Sequence, residues 1–342
     1  MTEARLSTNR QVRLAARPLG RPTRENWQIV DAPIPDVPAG GILVRTQFIS
    51  IDPAMRGWMN EGRSYIEPVG LGEVMRAGAA GLVIASDAPG FAVGDAVTGG
   101  FGVQQFCALD AAGLRKAGVA RVDPMRASLP QWLNALGMPG MTAYFGLLDV
   151  GQPQPGQTVV VSGAAGAVGQ TVGQIARIKG CRVVGIAGGP EKCAFVTQTL
   201  GFDACIDYKT ESVRDGLKRT CPDGVDVYFD NVGGDILDTV LTRINRKARI
   251  VICGAISQYN ATTAIKGPAN YLSLLVNRAR MEGMVVFDYA ARYPEAVAAI
   301  LGWMEAGQFV SREDQVNGID AFPEALLKLF DGENLGKLVL AV

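Results

Sequence analysis

V159-V-V-S-G-A-A-G-A-V-G169 is the stretch whose reading decides the fold. A run of valines that stops in small residues reads as a strand turning into a helix. Aligning Gly169 with the last glycine of G-x-G-x-x-G puts Gly166 second and Ala164 first, with an additional glycine at Gly163. Gly166 lets backbone approach a pyrophosphate, and Gly169 lets the helix pack closely on the sheet. The helix start, with Ala167 and Val168, offers free N–H groups and a positive dipole end, which suit phosphate. From Val168 to Lys179 the helix puts Val168, Val172, Ile175 and Ala176 on one face. In a chain with 42 glycines the pattern alone is a weak signal. Its competing reading is a small-residue contact between helix and strand, but β-α-β context on both sides favours a dinucleotide.

The next strand, C181-R-V-V-G-I-A-G-G-P-E-K192, bears on which dinucleotide. Sites that prefer NAD place an Asp or Glu about 20 residues on, accepting from the ribose 2′-hydroxyl. Here that position reads Gly188-Gly189, which leaves space, and Lys192 opens the following helix. Tyr208 ends the third strand in D207-Y-K-T210. A lysine near a 2′-phosphate is worth on the order of 1–4 kcal/mol, depending on exposure. Glu191 competes as a displaced ribose acid, although an acid in the first turn also complements its own helix dipole. The balance favours NADP(H) over NAD(H).

Around this core, 342 residues suggest about two domains, and 48% apolar content supplies sizeable cores. Residues from about 25 to 125 read as β-rich, with strands expected at Ile42–Ile51, Ala80–Ala85 and Asp95–Thr98 and dense Gly and Pro between them. From about 130 to 310 strands alternate with helices. The six strands are expected at Thr158–Ser162, Arg182–Ile186, Ala204–Asp207, Val225–Phe229, Arg249–Cys253 and Gly283–Phe287, fitting an open, doubly wound parallel sheet. The tail from Gly336 to Val342 reads as a strand able to pair back with the β-rich part. Trp303 and Met304 lie on an apolar helix pattern and are expected in the core.

Net charge is zero and no long basic block appears, so nucleic-acid binding is not expected. No apolar signal region opens the chain and no apolar run reaches membrane-spanning length, so the expectation is a cytoplasmic protein without a membrane partner. Six scattered cysteines without C-x-x-C argue against a disulfide framework and a zinc knuckle. Histidine is absent. No His can act as general base, triad member or metal ligand, which removes zinc hydrolase and Ser-His chemistry together.

Six stretches carry a resemblance: D52-P-A-M-R-G57, L136-G-M-P-G-M-T-A-Y144, S162-G-A-A-G-A-V-G169, Y228-F-D-N-V-G-G234, C253-G-A-I-S-Q-Y-N260 and N334-L-G-K337. In them the chain resembles the zinc-independent, NADPH-dependent alkenal/enone double-bond reductases of the medium-chain dehydrogenase/reductase superfamily, along nearly its whole length. The resemblance implies an α/β fold: a GroES-like β-rich catalytic domain of residues 1–130 with 311–342, and a Rossmann NADP-binding domain of residues 131–310. It also implies a homodimer. By position, Gly166, Ala167, Val168 and Gly169 would hold the pyrophosphate, with Lys192 and Tyr208 around the adenosine phosphate. Asn231, Met138 and Thr142 would lie near the cofactor. Cys253, Gly254, Ala255, Ile256, Ser257 and Tyr259 would run along it as a wall, and Met284–Phe287 and Asn334 would frame the nicotinamide. Two departures, Ala54 for a usual Tyr and Trp58 for a common Arg, bear on substrate range.

Zinc dehydrogenases of the superfamily need Cys and His around the metal, whereas S50-I-D-P-A-M-R56 and L71-G-E-V-M75 hold neither. A lone Glu73 cannot assemble a three-ligand site, so no metal is expected. A conjugated alkene accepts hydride at its β-carbon, with charge developing on the carbonyl oxygen as an enolate. The protein must position the enone, stabilise that oxygen and let a proton reach the α-carbon. Tyr259 is the candidate polar group, since a phenol donates at neutral pH; it acts directly, through the ribose 2′-hydroxyl, or through water. Its plain alternative is an aromatic packed in a loop. Tyr65, in G62-R-S-Y-I-E-P68, is the candidate for lining a substrate cleft, against ordinary loop packing. Tyr271 with Leu272–Val276 belongs either over the substrate pocket or at a dimer contact. Cys253 reads as packing and not a nucleophile, because no base adjoins it. Asp52 and Arg56 read as a structural pair. The expected activity is NADPH-dependent reduction of the C=C bond of α,β-unsaturated aldehydes and ketones. Competing readings are a quinone reductase of the same superfamily and an NADPH-binding protein without turnover.

Overall fold

Turn residues and alternating burial build the first half of the chain. The computed structural model describes residues 8–342. Strands β1 (Asn9–Leu14) and β2 (Trp27–Ala32) pair antiparallel as a ribbon. Then come β3 (Ile42–Ser50), β4 (Ala79–Ser86), β5 (Ala96–Gly99), β6 (Phe106–Leu109) and β7 (Ala120–Arg121). Ile42, Val44 and Ile49 of β3 enter one apolar core with Met55, Phe101 and Phe322, and this burial is the main driving term for the sheet.

The second half changes period. Strands β8 (Thr158–Ser162), β9 (Arg182–Ala187), β10 (Ala204–Asp207), β11 (Val225–Asp230), β12 (Ile244–Ile252) and β13 (Arg280–Gly283) form one parallel sheet in the order β10-β9-β8-β11-β12-β13. Every residue of β8 is buried, as a parallel strand covered on both faces requires, and this explains its unbroken valine run. The order reverses between β8 and β11, and ligands of such sheets bind beyond the strand ends at that point.

Two more strands, β14 (Glu313–Asn317) and β15 (Lys337–Ala341), join the antiparallel sheet in the order β14-β15-β3-β4-β5-β7, with β6 also on β3. Val339 lies opposite Ser50 and Leu340 opposite Ile49, so the tail does pair back with the β-rich part. The chain divides into two units. One runs to Leu133 and takes in Glu313–Glu333 and Leu338–Val342; the other is Asn134–Arg312 with Asn334–Lys337.

Two expectations are corrected. The sixth parallel strand is Arg280–Gly283, and the apolar run after it leaves the sheet, forming a 3-10 segment over Val286–Arg292. β13 is an edge strand whose four residues are all exposed, so it needs no apolar run, while Val286 is buried beyond it. Trp303 and Met304 are only half-buried, outside the core. The Lys179 ammonium sits 5.8 Å from the Trp303 ring centroid, giving that ring a cationic neighbour. Arg56 is buried and donates to the carbonyls of Pro18 and Gly20 and to Asn60 Oδ1, and Asp52 accepts from the Ser50 hydroxyl.

Candidate nucleotide site

The glycine loop after β8 delivers its helix, Ala167–Ile178, with an open end. Gly166 is the N-cap and carries no side chain to cap it. The first bond into the helix runs from Gln170 N–H to Gly166 O, at 3.0 Å. The N–H groups of Ala167, Val168 and Gly169 therefore have no helical carbonyl behind them. A Cβ on Gly169 would stand 2.2 Å from Gly163 O and 2.8 Å from Ala164 Cα. Only a bare Cα lets the helix start lie this close to the turn.

A second segment reaches the same loop. Gly336 N–H donates to Ala165 O at 2.9 Å, and the Asn334 amide donates to Gly336 O at 2.8 Å. Asn334 is thereby buried beside the glycine turn.

At the end of β9 the structure joins Gly188 to Tyr208, whose phenol oxygen lies 2.7 Å from where a Gly188 Cβ would be. An acid is present here that sequence spacing missed. Asp207 Oδ1 accepts from Gly189 N–H at 2.7 Å and from Lys209 N–H at 3.0 Å. Those bonds, Gly189's first, hold its carboxyl below the usual range. It stands at the end of β10, one strand further on than the ribose acid is sought. Its only sequence signal was the preference of Asp for bonding nearby backbone at turns. Lys192 is half-buried on the short helix Pro190–Ala194 that follows Gly189.

Beyond β11 the chain is bound to its neighbours. Asn231 N–H donates to Ser162 Oγ and its amide to Ser162 O, at 2.9 and 2.7 Å. The segment after β12 hangs from this one. Ile256 N–H donates to Asn231 O, and Ser257 donates to Val232 O through both its N–H and its hydroxyl. Tyr259 is turned back on that segment and its phenol oxygen accepts from Ala255 N–H at 3.2 Å. A Cβ on Gly254 would meet the same oxygen at 2.9 Å, so the two small residues fix where the phenol points. Burial, with Asp230 nearby, pushes the Cys253 thiol up to about 12; it stays protonated and is no nucleophile at neutral pH.

The other sequence candidates are more scattered. Met138 is exposed at the start of the helix Met138–Phe145, and the Thr142 hydroxyl donates back to Met138 O at 2.8 Å. Phe287 is exposed in the 3-10 segment. Tyr65 is exposed and lies in the first unit, in the loop between Trp58 and β4.

An open helix end, small residues at 163–169, and a turn at 188–189 without a side chain fit a dinucleotide phosphate chain. Among the described residues no three His, Cys, Asp or Glu side chains are grouped to hold a metal ion. The donor set does not fit a catalytic zinc.

Residues 10–117 match the family described as N-terminal domain of oxidoreductase, and residues 167–302 the family described as zinc-binding dehydrogenase. The NADPH-dependent curcumin reductase of Escherichia coli (strain K12) is 41% identical over 98% of this chain and 97% of its own. The NADP(+)-dependent 2-alkenal reductase of Nicotiana tabacum is 39% identical over 98% of both chains. The crystal structure of CurA from Vibrio vulnificus in complex with NADPH superposes with a TM-score of 0.91, at 43% identity, over 97% of this chain and 99% of that one.

Proposed function

The chain belongs to the NADPH-dependent alkenal/enone double-bond reductases of the medium-chain dehydrogenase/reductase superfamily, and from that premise we propose how its residues divide the work. It reduces the C=C bond of α,β-unsaturated aldehydes and ketones with NADP(H) as cofactor. When bound, NADPH supplies the hydride that adds to the β-carbon.

The N–H groups of Ala167, Val168 and Gly169 take the pyrophosphate, which approaches over the bare Cα of Gly166, with Asn334 buttressing the turn. Lys192 and Tyr208 take the 2′-phosphate. The single observation that carries this reading is the engagement of Asp207. Its carboxylate accepts from the N–H groups of Gly189 and Lys209, which anchors the side-chain-free Gly188-Gly189 turn next to Tyr208 and just before Lys192. Asn231, Met138, Thr142 and the wall formed by Cys253, Gly254, Ala255, Ile256 and Ser257 border the cofactor, with Phe287 and Asn334 framing its nicotinamide. Tyr259 donates to the substrate oxygen as enolate charge grows there, in an orientation supported by its bond from Ala255. Tyr65 contributes to substrate binding. Residues 131–310 form the cofactor-binding domain, and 1–130 with 311–342 the catalytic one.

The same proposal includes a cytoplasmic homodimer. No helix of the described residues is long and apolar enough to cross a membrane. β13 closes its sheet with an exposed edge, and Tyr271, Leu272, Leu275 and Val276 are exposed in the helical segment that leads into it. An unpaired edge preceded by exposed apolar residues supports pairing with a second copy, which light scattering after size-exclusion chromatography would read directly.

The function is tested by following NADPH oxidation with a panel of enals, enones and quinones, and identifying the products. Saturated aldehydes and ketones are the expected products. Turnover confined to quinones, or NADPH binding without turnover, would overturn the assignment.

A further inference from the structure

A buried carboxylate lies where the ends of β11 and β12 meet. Asp230, the last residue of β11, is 1% exposed. Four donors converge on its Oδ1: the Ser162 hydroxyl at 2.9 Å, the Tyr228 phenol at 2.8 Å, Val232 N–H at 3.0 Å and Gly233 N–H at 2.9 Å. Its backbone carbonyl accepts from Cys253 and Gly254 N–H, at 2.9 and 3.1 Å. One residue thus binds the ends of β8, β11 and β12. By contrast its Oδ2 is enclosed and has no hydrogen-bond partner.

We propose that Asp230 is a positioning residue for hydride transfer, holding in one geometry the three strand ends that carry the glycine turn, Asn231 and the segment leading to Tyr259. The proposal rests on the functional reading above, since it needs those segments to border the nicotinamide. The bonding runs without a gap. Asp230 fixes the Asn231–Gly233 turn, and Asn231 O and Val232 O accept from Ile256 and Ser257. Those residues set the loop on which Ala255 holds the Tyr259 phenol. Tyr228 is fully buried, and burial together with Asp230 keeps its phenol protonated, so it remains a donor to the carboxylate throughout the working pH range.

The asymmetry of the two oxygens makes the role specific. All the donors meet Oδ1, so the residue acts as a multiple acceptor, and an amide can replace it with its oxygen on the donors and its NH2 in the unpartnered position. Removing a charge from a buried site also removes a desolvation cost, which further favours the amide.

The experiment compares wild-type enzyme with the Asp230→Ala and Asp230→Asn variants. It measures kcat with an enone, the kinetic isotope effect with NADPH deuterated at the transferred position, and NADPH affinity by fluorescence without substrate. Asp230→Ala is expected to lower kcat at least tenfold and raise the isotope effect, with a smaller change in affinity. Asp230→Asn is expected to recover at least a third of wild-type kcat. Equal damage in both variants, or wild-type kcat and isotope effect in Asp230→Ala, would overturn the proposal. If Asp230→Ala does not fold, Ser162→Ala decides, because it removes one donor and frees Asn231 N–H. A fall of several-fold in kcat with a raised isotope effect supports positioning, and unchanged values refute it. Loss of enone turnover in the wild type would refute the function itself, a result none of the variants can mimic.

Discussion

The Tyr208 phenol occupies the space that a side chain on Gly188 would fill, with its oxygen 2.7 Å from that Cβ position. A Gly188→Ala substitution must push the ring aside. The ring is nearly half exposed, so it moves at little cost to stability. KM for NADPH is expected to rise several-fold with Tm almost unchanged, and steady-state kinetics with thermal melts would check both. A large fall in Tm would mean the ring is packed too firmly for this reading.

Lys192→Ala removes the cation assigned to the 2′-phosphate. An attraction of about 1–4 kcal/mol between a lysine and a phosphate implies a rise of about fivefold or more in KM for NADPH, with little change for NADH. Equal changes for the two cofactors would remove Lys192 from the phosphate site.

Tyr259→Phe withdraws the donor proposed for the enolate oxygen and leaves Ala255 N–H without its acceptor. By analogy with loss of one oxyanion donor, kcat on enones should fall by about 100- to 1000-fold. NADPH affinity, followed by fluorescence, should change less than threefold. Undiminished turnover would return Tyr259 to plain loop packing.

Gly169→Ala tests the close approach at the helix start. Its Cβ would press on Gly163 O and Ala164 Cα, both backbone atoms with nowhere to go. Overpacking of this kind costs about 1–3 kcal/mol. A drop in Tm and weakened NADPH binding are expected together; binding at wild-type strength would mean that the turn relaxes freely.

Cys253, with its thiol pushed up to about 12, should resist alkylation. At pH 8 its thiolate population is lower than that of an ordinary cysteine by roughly a thousandfold, and its iodoacetamide labelling, followed by mass spectrometry, should lag behind accordingly. The sign follows from the raised value: labelling accelerates only as the pH climbs toward it. Rapid modification at pH 8 would show that the thiol is not shielded.

Much of the nucleotide-binding half was legible in one dimension, for a physical reason. The valines of β8 must face apolar neighbours on both sides, and Gly169 must lack a side chain, so both leave a local signature. β13 was misplaced because an exposed edge strand needs no apolar run, and the run that follows it belongs to a buried turn. Asp207 and Asp230 escaped notice for another reason. Each works by accepting from N–H groups brought to it by strand register or by its own turn, and beyond the turn preference of Asp the sequence holds no trace of that. Tyr65 and Phe287 remain exposed side chains whose roles depend on the bound molecules.

The segment Asn334–Lys337 has a consequence for biosynthesis. Gly336 closes onto Ala165, and β15, which begins at Lys337, takes an interior place between β14 and β3. Both are translated after everything they complete. A nascent chain halted on the ribosome before residue 334 would therefore expose an unfilled gap in its antiparallel sheet and an unbraced glycine turn. Cofactor capture should begin only once that stretch has left the exit tunnel.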